Sequence, residues 1–418
     1  GLVKSLRNLA IAQAVKGDRD AARANLDKAR VLLEGIGDRA SLAELYNDRG
    51  VVAEEQGDFG DALARYREAL AIRQQLDLPV GIAESANNVA YASYQLGQFD
   101  NAFAFWQQSL ALYQSLDDRN KEIAITQNLA LLDVARGHFA AARERMQSSL
   151  QTAESSQLVE ESAVAHTNLA ELALLEGAFG DAIDHADRAE EAFRRRSDQR
   201  GEIEANLIRA RIALALGDVA ACDRALEAIP SDADISGEQR AGLLLASARR
   251  AYLGGDAAAG AAKLAEAATT AADAHAGVLA FRIGIERARR ALQAGQTAQA
   301  SAELAALHKE TTLLGQVPLR LDLAELEIAS SLRSGRNGEA AGRYRETLPL
   351  LREAGRYAYS TTLHALGARA LPPGAEATAA ASAAASARDQ VIADAPTDAK
   401  ASLQQQLDLR LLEGGDAR

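Results

Sequence analysis

Chemistry needs titratable or nucleophilic side chains held at fixed spacing, and this chain offers few. Its six histidines, His138, His166, His185, His275, His308 and His364, are scattered. None forms a His-x-x-x-His or Glu-x-x-His pair that one helix face could turn toward a metal. Gly335-Arg336-Asn337-Gly338, with Gly342 beyond it, has the glycines of a phosphate loop but neither the Gly-Lys-Ser/Thr ending nor a preceding strand, so it reads as a turn between helices. There is no nucleophile elbow, and the acidic pairs Glu54-Glu55 and Glu160-Glu161 read as solvated helix faces. The single cysteine, Cys222, excludes an internal disulfide and reads as a buried stand-in for alanine rather than a reactive thiol. The expectation is a protein that is not an enzyme, with no cofactor and no metal.

What does recur is an amide. Asn8, Asp48, Asn88, Asn128 and Asn168 stand forty residues apart, and Ile208 ends the row. Asparagine is a poor helix-interior residue because its side chain competes for backbone hydrogen bonds, so the row calls for a reason. Two reasons stand open. The amides could bond neighbouring helices and order them, or they could bond the backbone of an extended peptide, which offers the same donor and acceptor. One helical turn to either side, the same stripe carries Lys4, Glu44 and Glu84, then Ile11, Val51, Tyr91, Leu131 and Glu171. A further turn adds Glu55 and Gln95. Later in the chain equivalent phases hold Arg211, Arg249, Arg282, Arg289 and Arg333, with Glu286 and Asp322 between them. Tyr94 and Trp106 lie close in phase, and Trp106 reads as core.

The elements that must position these side chains follow from a second periodicity. Gly17, Gly57, Gly97, Gly137, Gly177 and Gly217 are spaced by forty residues, and Gly255, Gly295 and Gly335 follow after one contraction of two. Two residues after the glycine come Phe59, Phe99, Phe139 and Phe179; five after it the residue is small, as in Ala62, Ala102 and Ala142; nine after it, it is mostly large, as in Tyr66, Trp106 and Met146. Seven before it stand Ala10, Gly50, Ala90, Ala130 and Ala170. Small residues let two helices approach and large ones fill the space beside them. A glycine in the left-handed conformation ends the first helix and turns the chain back. A fixed period of this size marks a solenoid.

Asn128, Leu129, Ala130, Gly137, Phe139 and Ala142 spell Asn-Leu-Ala…Gly-x-Phe-x-x-Ala, which resembles the tetratricopeptide repeat family in its extended form, with units of about forty residues. The resemblance implies an all-α, right-handed superhelical α-solenoid of about nine to ten helix-turn-helix repeats, closed by a C-terminal capping helix over Asp398 to Leu412. It also implies that the first helix of each repeat lines a concave groove, with the family's groove-lining asparagine at the phase of the amide row. The expected peptide-binding face is then Asn8, Glu44, Asp48, Glu84, Asn88, Tyr91, Gln95, Asn128, Leu131, Asn168, Glu171, Arg211, Arg249, Arg282 and Arg289. It is rich in acids and amides early and in arginine late, so an extended ligand of opposite polarity is expected to lie along it.

Composition bounds the rest. The chain has 418 residues, 48% hydrophobic but only 4% aromatic, so its apolar content is mostly alanine and leucine, which suits helix-on-helix packing. A net charge of −12 argues against a broad nucleic-acid-binding role. No run of eighteen apolar residues could span a membrane and no signal peptide is evident. Ile229-Pro230 cuts one helix short, and we expect a bend there between an N-terminal segment of repeats over 1–230 and a C-terminal segment over 231–418. The chain begins at Gly1 already inside a helical pattern, which suggests an excised or processed piece fused to an upstream effector domain in a longer protein. The expected function is a cytoplasmic protein-interaction scaffold that binds a partner peptide or protein segment. The alternative is the ligand-sensing regulatory segment of a bacterial transcription regulator or Ser/Thr kinase.

Overall fold

The computed structural model describes residues 1–16, 18–233, 235–310 and 312–412; Gly17 and the last five residues, expected to fray, lie outside the described residues. The chain divides into two compact units, Gly1–Leu132 and Asp133–Arg418. All regular structure among the described residues is helical.

In the first unit, α1 (Leu2–Val15) pairs with α2 (Arg19–Ile36), α3 (Arg39–Glu55) with α4 (Phe59–Gln75), and α5 (Pro79–Gln95) with α6 (Phe99–Ser115). Next comes α7 (Arg119–Arg136), which enters the second unit at Asp133. There follow α8 (Phe139–Ser155), α9 (Val159–Glu176), α10 (Phe179–Arg195), α11 (Gln199–Leu216), α12 (Val219–Glu227), α13 (Gly237–Leu253) and α14 (Ala257–Asp273). Then α15 (Gly277–Gln293), α16 (Thr297–Leu307), α17 (Val317–Arg333), α18 (Asn337–Ala354), α19 (Ser360–Ala370) and α20 (Ala375–Ala393) lead to a single last helix, α21 (Lys400–Leu412).

The local code behaves as its chemistry requires. Asp38, Asp58, Asp198, Asp218 and Asp256 each accept a hydrogen bond from the backbone N–H three residues on, which caps the helix that follows. Gly57, Gly97 and their described counterparts through Gly335 have φ between +69° and +84°, the left-handed turn that joins the two helices of each pair. Close approach is equally literal. A Cβ added at Gly50 would sit 2.3 Å from the Tyr66 ring, whose hydroxyl donates to Glu54 at 2.7 Å. Tyr66, Trp106, Met146 and Tyr344, the large residues nine after the glycine, are all buried.

A second row of left-handed residues also recurs at forty, and after its first member it is not glycine. Gly37 is followed by Asp77, Asp117, Gln157 and Ser197, with φ of 52° to 57°, in the turns between pairs, and later by His275. A side chain with a Cβ is strained there by about 1–2 kcal/mol. Gln157→Gly should therefore raise stability, by about 0.5–1 kcal/mol once the glycine's greater unfolded-state entropy is subtracted. A rise in the urea midpoint checks it, and a fall would show that the Gln157 side chain contributes more than its backbone costs.

Pro230 ends α12 as expected, and a capping box of Ser236 and Gln239 starts α13. The second unit then does something that local pattern does not announce. The N–H of Ala358 donates to Leu175 O at 2.8 Å, while Arg356 Nε and Nη2 donate to Glu176 O and Gly177 O at 2.8 and 3.1 Å. The last carbonyls of α9, which no helix can satisfy from within, are thus capped from about 180 residues away. Val391, Ala395, Ala399, Leu403 and Leu407 join the same core as Phe179, Ile208, Ile212 and Leu216. The last helix contacts α19 and α20, as an end helix should, and α11 as well.

Candidate peptide-binding face

In the first unit the amide row falls on α1, α3, α5 and the part of α7 up to Leu132, one residue per helix. Two of its members, Asn88 and Asn128, are tied to a row that the sequence reading missed, one residue earlier. Asn88 Nδ2 donates to Asn47 Oδ1 at 2.8 Å, Asn128 Nδ2 to Asn87 Oδ1 at 3.3 Å, and Asn87 Nδ2 to Asn88 Oδ1 at 3.3 Å. Trp106 Nε1 donates to Asn87 Oδ1 at 3.0 Å, so the buried indole sets the orientation of the amide that Asn128 bonds. The signal was present in the sequence: Asn47, Asn87 and Gln127 keep the same spacing. Asn88 and Asn128 are half-buried, and each bonded amide keeps a spare hydrogen or lone pair. The inter-helix reading is what these bonds show, and each of the two amides also keeps a partly exposed edge.

Around this row the face is acidic and partly apolar. Arg7 bonds both Asp48 and Glu44, which leaves Asp48 buried and Glu44 exposed. Glu84 is exposed, with Arg73 at 3.4 Å. Tyr91 and Gln95 are half-buried, Tyr91 edge-on to Phe59 at 6.4 Å, and Leu131 is 40% exposed. Asn8 is exposed.

In the second unit the structure brings the arginines together but engages most of them. Arg211 pairs with Glu171, Arg249 Nε donates to Glu286 at 2.9 Å, and Arg289 Nη2 donates to Glu325 at 3.3 Å. Arg290 also bonds Glu286. Burial works to raise the Glu286 carboxyl, and the guanidiniums of Arg249, Arg290 and Arg289 reverse this and take it down to about 2. Arg282 makes no hydrogen bond or ion pair with the described residues; burial, and then Arg211, hold its guanidinium below the ordinary range. Asn168 is half-buried and likewise makes no side-chain hydrogen bond with them. Glu325, Tyr357 and Arg410 belong to this wall and were not foreseen, because the segment that completes it returns from the far end of the chain.

Among the described residues no group of three or more His, Cys, Asp or Glu side chains is placed to hold a metal. His166 Nδ1 lies 2.9 Å from His185 Nδ1, and burial, and then His185, push His166 down to about 4. Cys222 is fully buried, which pushes its thiol up to about 11. No helix among the described residues is long and apolar enough to cross a membrane.

The family model of the tetratricopeptide repeat matches residues 2–75 and 81–155. None of the curated proteins matches the chain. Among solved structures, the chain is similar to the apo form of the quorum sensor NprR from B. thuringiensis: 14% identical, over 72% of this chain and 86% of that one, at a TM-score of 0.55. It is also similar to the apo form of RapI, with 12% identity, 65% and 99% coverage and a TM-score of 0.53. A third is aspartyl phosphate phosphatase F from Bacillus subtilis, with 13% identity, 62% and 68% coverage and a TM-score of 0.51. At such identities the likeness is one of fold. The two matched stretches, the glycine, aromatic and small-residue signature on the turns and helices it predicts, and helix pair after helix pair agree: over residues 2–75 and 81–155 the chain carries tetratricopeptide repeats, and the described residues fold as an α-solenoid of paired helices.

Proposed function

We propose that this chain is a non-enzymatic protein-interaction scaffold, and that its first unit binds an extended partner segment bearing lysine or arginine. The binding face consists of Asn8, Glu44, Glu84, Asn88, Tyr91, Gln95, Asn128 and Leu131, while Asp48 is buried against Arg7 and orders the wall rather than meeting the partner. One observation carries this reading: Asn88 and Asn128 are each fixed by a neighbouring amide yet half exposed, so they meet a peptide backbone without first losing rotamer freedom. Exposed Glu44 and Glu84 supply complementary charge, and Tyr91 and Leu131 an apolar anchor. In the second unit the same reading keeps Asn168 and Arg282 as contact groups, since Glu171, Arg211, Arg249 and Arg289 already pair within the wall.

Each hydrogen bond contributes only about 0.5–1.5 kcal/mol net, so affinity is a sum of weak contacts. The test is an array of lysine- and arginine-bearing synthetic peptides, with the best binder then titrated against the Asn88→Ala/Asn128→Ala double variant. Affinity should drop by about tenfold, the equivalent of two such bonds. Unchanged affinity in a double variant that retains its helical signal would remove the amide row from the binding face.

A further inference from the structure

The last helix of the second unit is held as a bound partner would be. α21 follows the helix pairs without an antiparallel mate of its own. It lays Leu403 and Leu407, 2% and 4% exposed, into the core that holds Ile208, Ile212 and Leu216 of α11, and its opposite side is exposed at Gln405, Asp408 and Leu409. Leucines four residues apart share one helix face. Three residues further on, Arg410 stacks 3.6 Å from the centre of the Tyr359 ring, and its Nη1 donates to both oxygens of Glu325 at 3.1 and 3.0 Å. Glu325 is fully buried and also receives Arg289 at 3.3 Å and Thr362 Oγ1 at 3.0 Å. A carboxylate so placed is costly to leave short of a donor, which makes it a specific socket for a guanidinium.

We infer that this apolar strip with its carboxylate socket is a docking surface for an amphipathic helix, that α21 occupies it in cis, and that a partner helix displaces α21. The partner must present two leucines one turn apart and an arginine three residues beyond the second. A tethered helix competes at an effective concentration of roughly millimolar, so an incoming helix gains access in proportion to how weakly the tail is held. The surface lies wholly within the second unit and does not depend on the amide face of the first.

A labelled synthetic peptide of residues 396–412, titrated against the full chain, tests this. The Leu407→Asp chain, whose own tail is weakened while the strip and Glu325 are intact, should bind the peptide about tenfold more tightly than the unaltered chain does. A peptide carrying Leu403→Asp and Leu407→Asp should bind neither chain. Equal affinity for the two chains, no binding to either, or retention of the doubly substituted peptide would each overturn the inference. Should Leu407→Asp lose its helical signal, hydrogen exchange in the unaltered chain decides. Amides 403–407 should then exchange at least about tenfold faster than those of α11 through a local opening, and equal protection of the two helices would overturn it.

Discussion

Glu286→Ala should cost the second unit about 3–5 kcal/mol, the usual penalty for removing one partner from a buried charge cluster. Glu286 is 2% exposed and receives Arg249 and Arg290, with Arg289 nearby at 3.9 Å. Its removal leaves these guanidiniums facing one another across a low-dielectric wall. The effect is therefore larger than the loss of two ordinary hydrogen bonds. Urea unfolding followed by far-UV circular dichroism reads it, and a shift equivalent to less than about 1 kcal/mol would mean that solvent already screens the cluster. The pH dependence carries the same signature. The folded carboxyl titrates at about 2, below its ordinary 4.5, so the stability it contributes is complete above pH 4.5 and is lost as pH falls from there toward 2. Glu286→Gln should lack that portion of the acid dependence while keeping much of the shape of the wall.

Trp106→Ala should cost the first unit a similar amount, about 3–5 kcal/mol, because a fully packed indole leaves a cavity that its neighbours only partly fill. Trp106 is 2% exposed, with the Tyr94 ring 5.8 Å away, centre to centre. Trp106→Phe separates its two roles. It retains most of the buried area but loses the Nε1 bond to Asn87 and part of the indole's volume, so stability should fall by about 1–3 kcal/mol, less than for the alanine variant. Asn87 also accepts from Asn128, so the phenylalanine variant should lose more peptide affinity than its stability loss explains. Thermal melts and peptide titration of both variants check this, and an unimpaired Trp106→Phe would disconnect the indole from the amide row.

Much of this was legible in the sequence, for reasons that differ by element. The turn glycines declare themselves because few other residues adopt φ near +70° without strain, and Gly97 does so at +69°. Phe99, Ala102 and Trp106 declare the packing around it because the distance between two helices is set by the sizes of facing residues. The amide row was legible as a periodicity, and its partners Asn47 and Asn87 keep the same period one residue earlier, but a shared period does not say that the two rows bond one another. The return of the chain in the second unit was the least legible. Arg356 caps carbonyls of α9, and Arg410 reaches Glu325, through contacts that leave no periodic trace at either end. Leu403 and Leu407 read as an end cap because an amphipathic helix shows which of its faces is buried, not which surface buries it. The short α16, which ends at Leu307 with no proline to stop it, has no account in local sequence.

The central claim is that the first unit receives a partner on the face built by its first helices. Photo-cross-linking mass spectrometry with the best-binding basic peptide, carrying a photoreactive residue at its centre, tests this most directly. The account predicts adducts on α3, α5 and the adjoining part of α7, at Tyr91, Asn88 and Leu131 above all. Adducts confined to α2, α4 and α6 would place the partner on the opposite wall and contradict it.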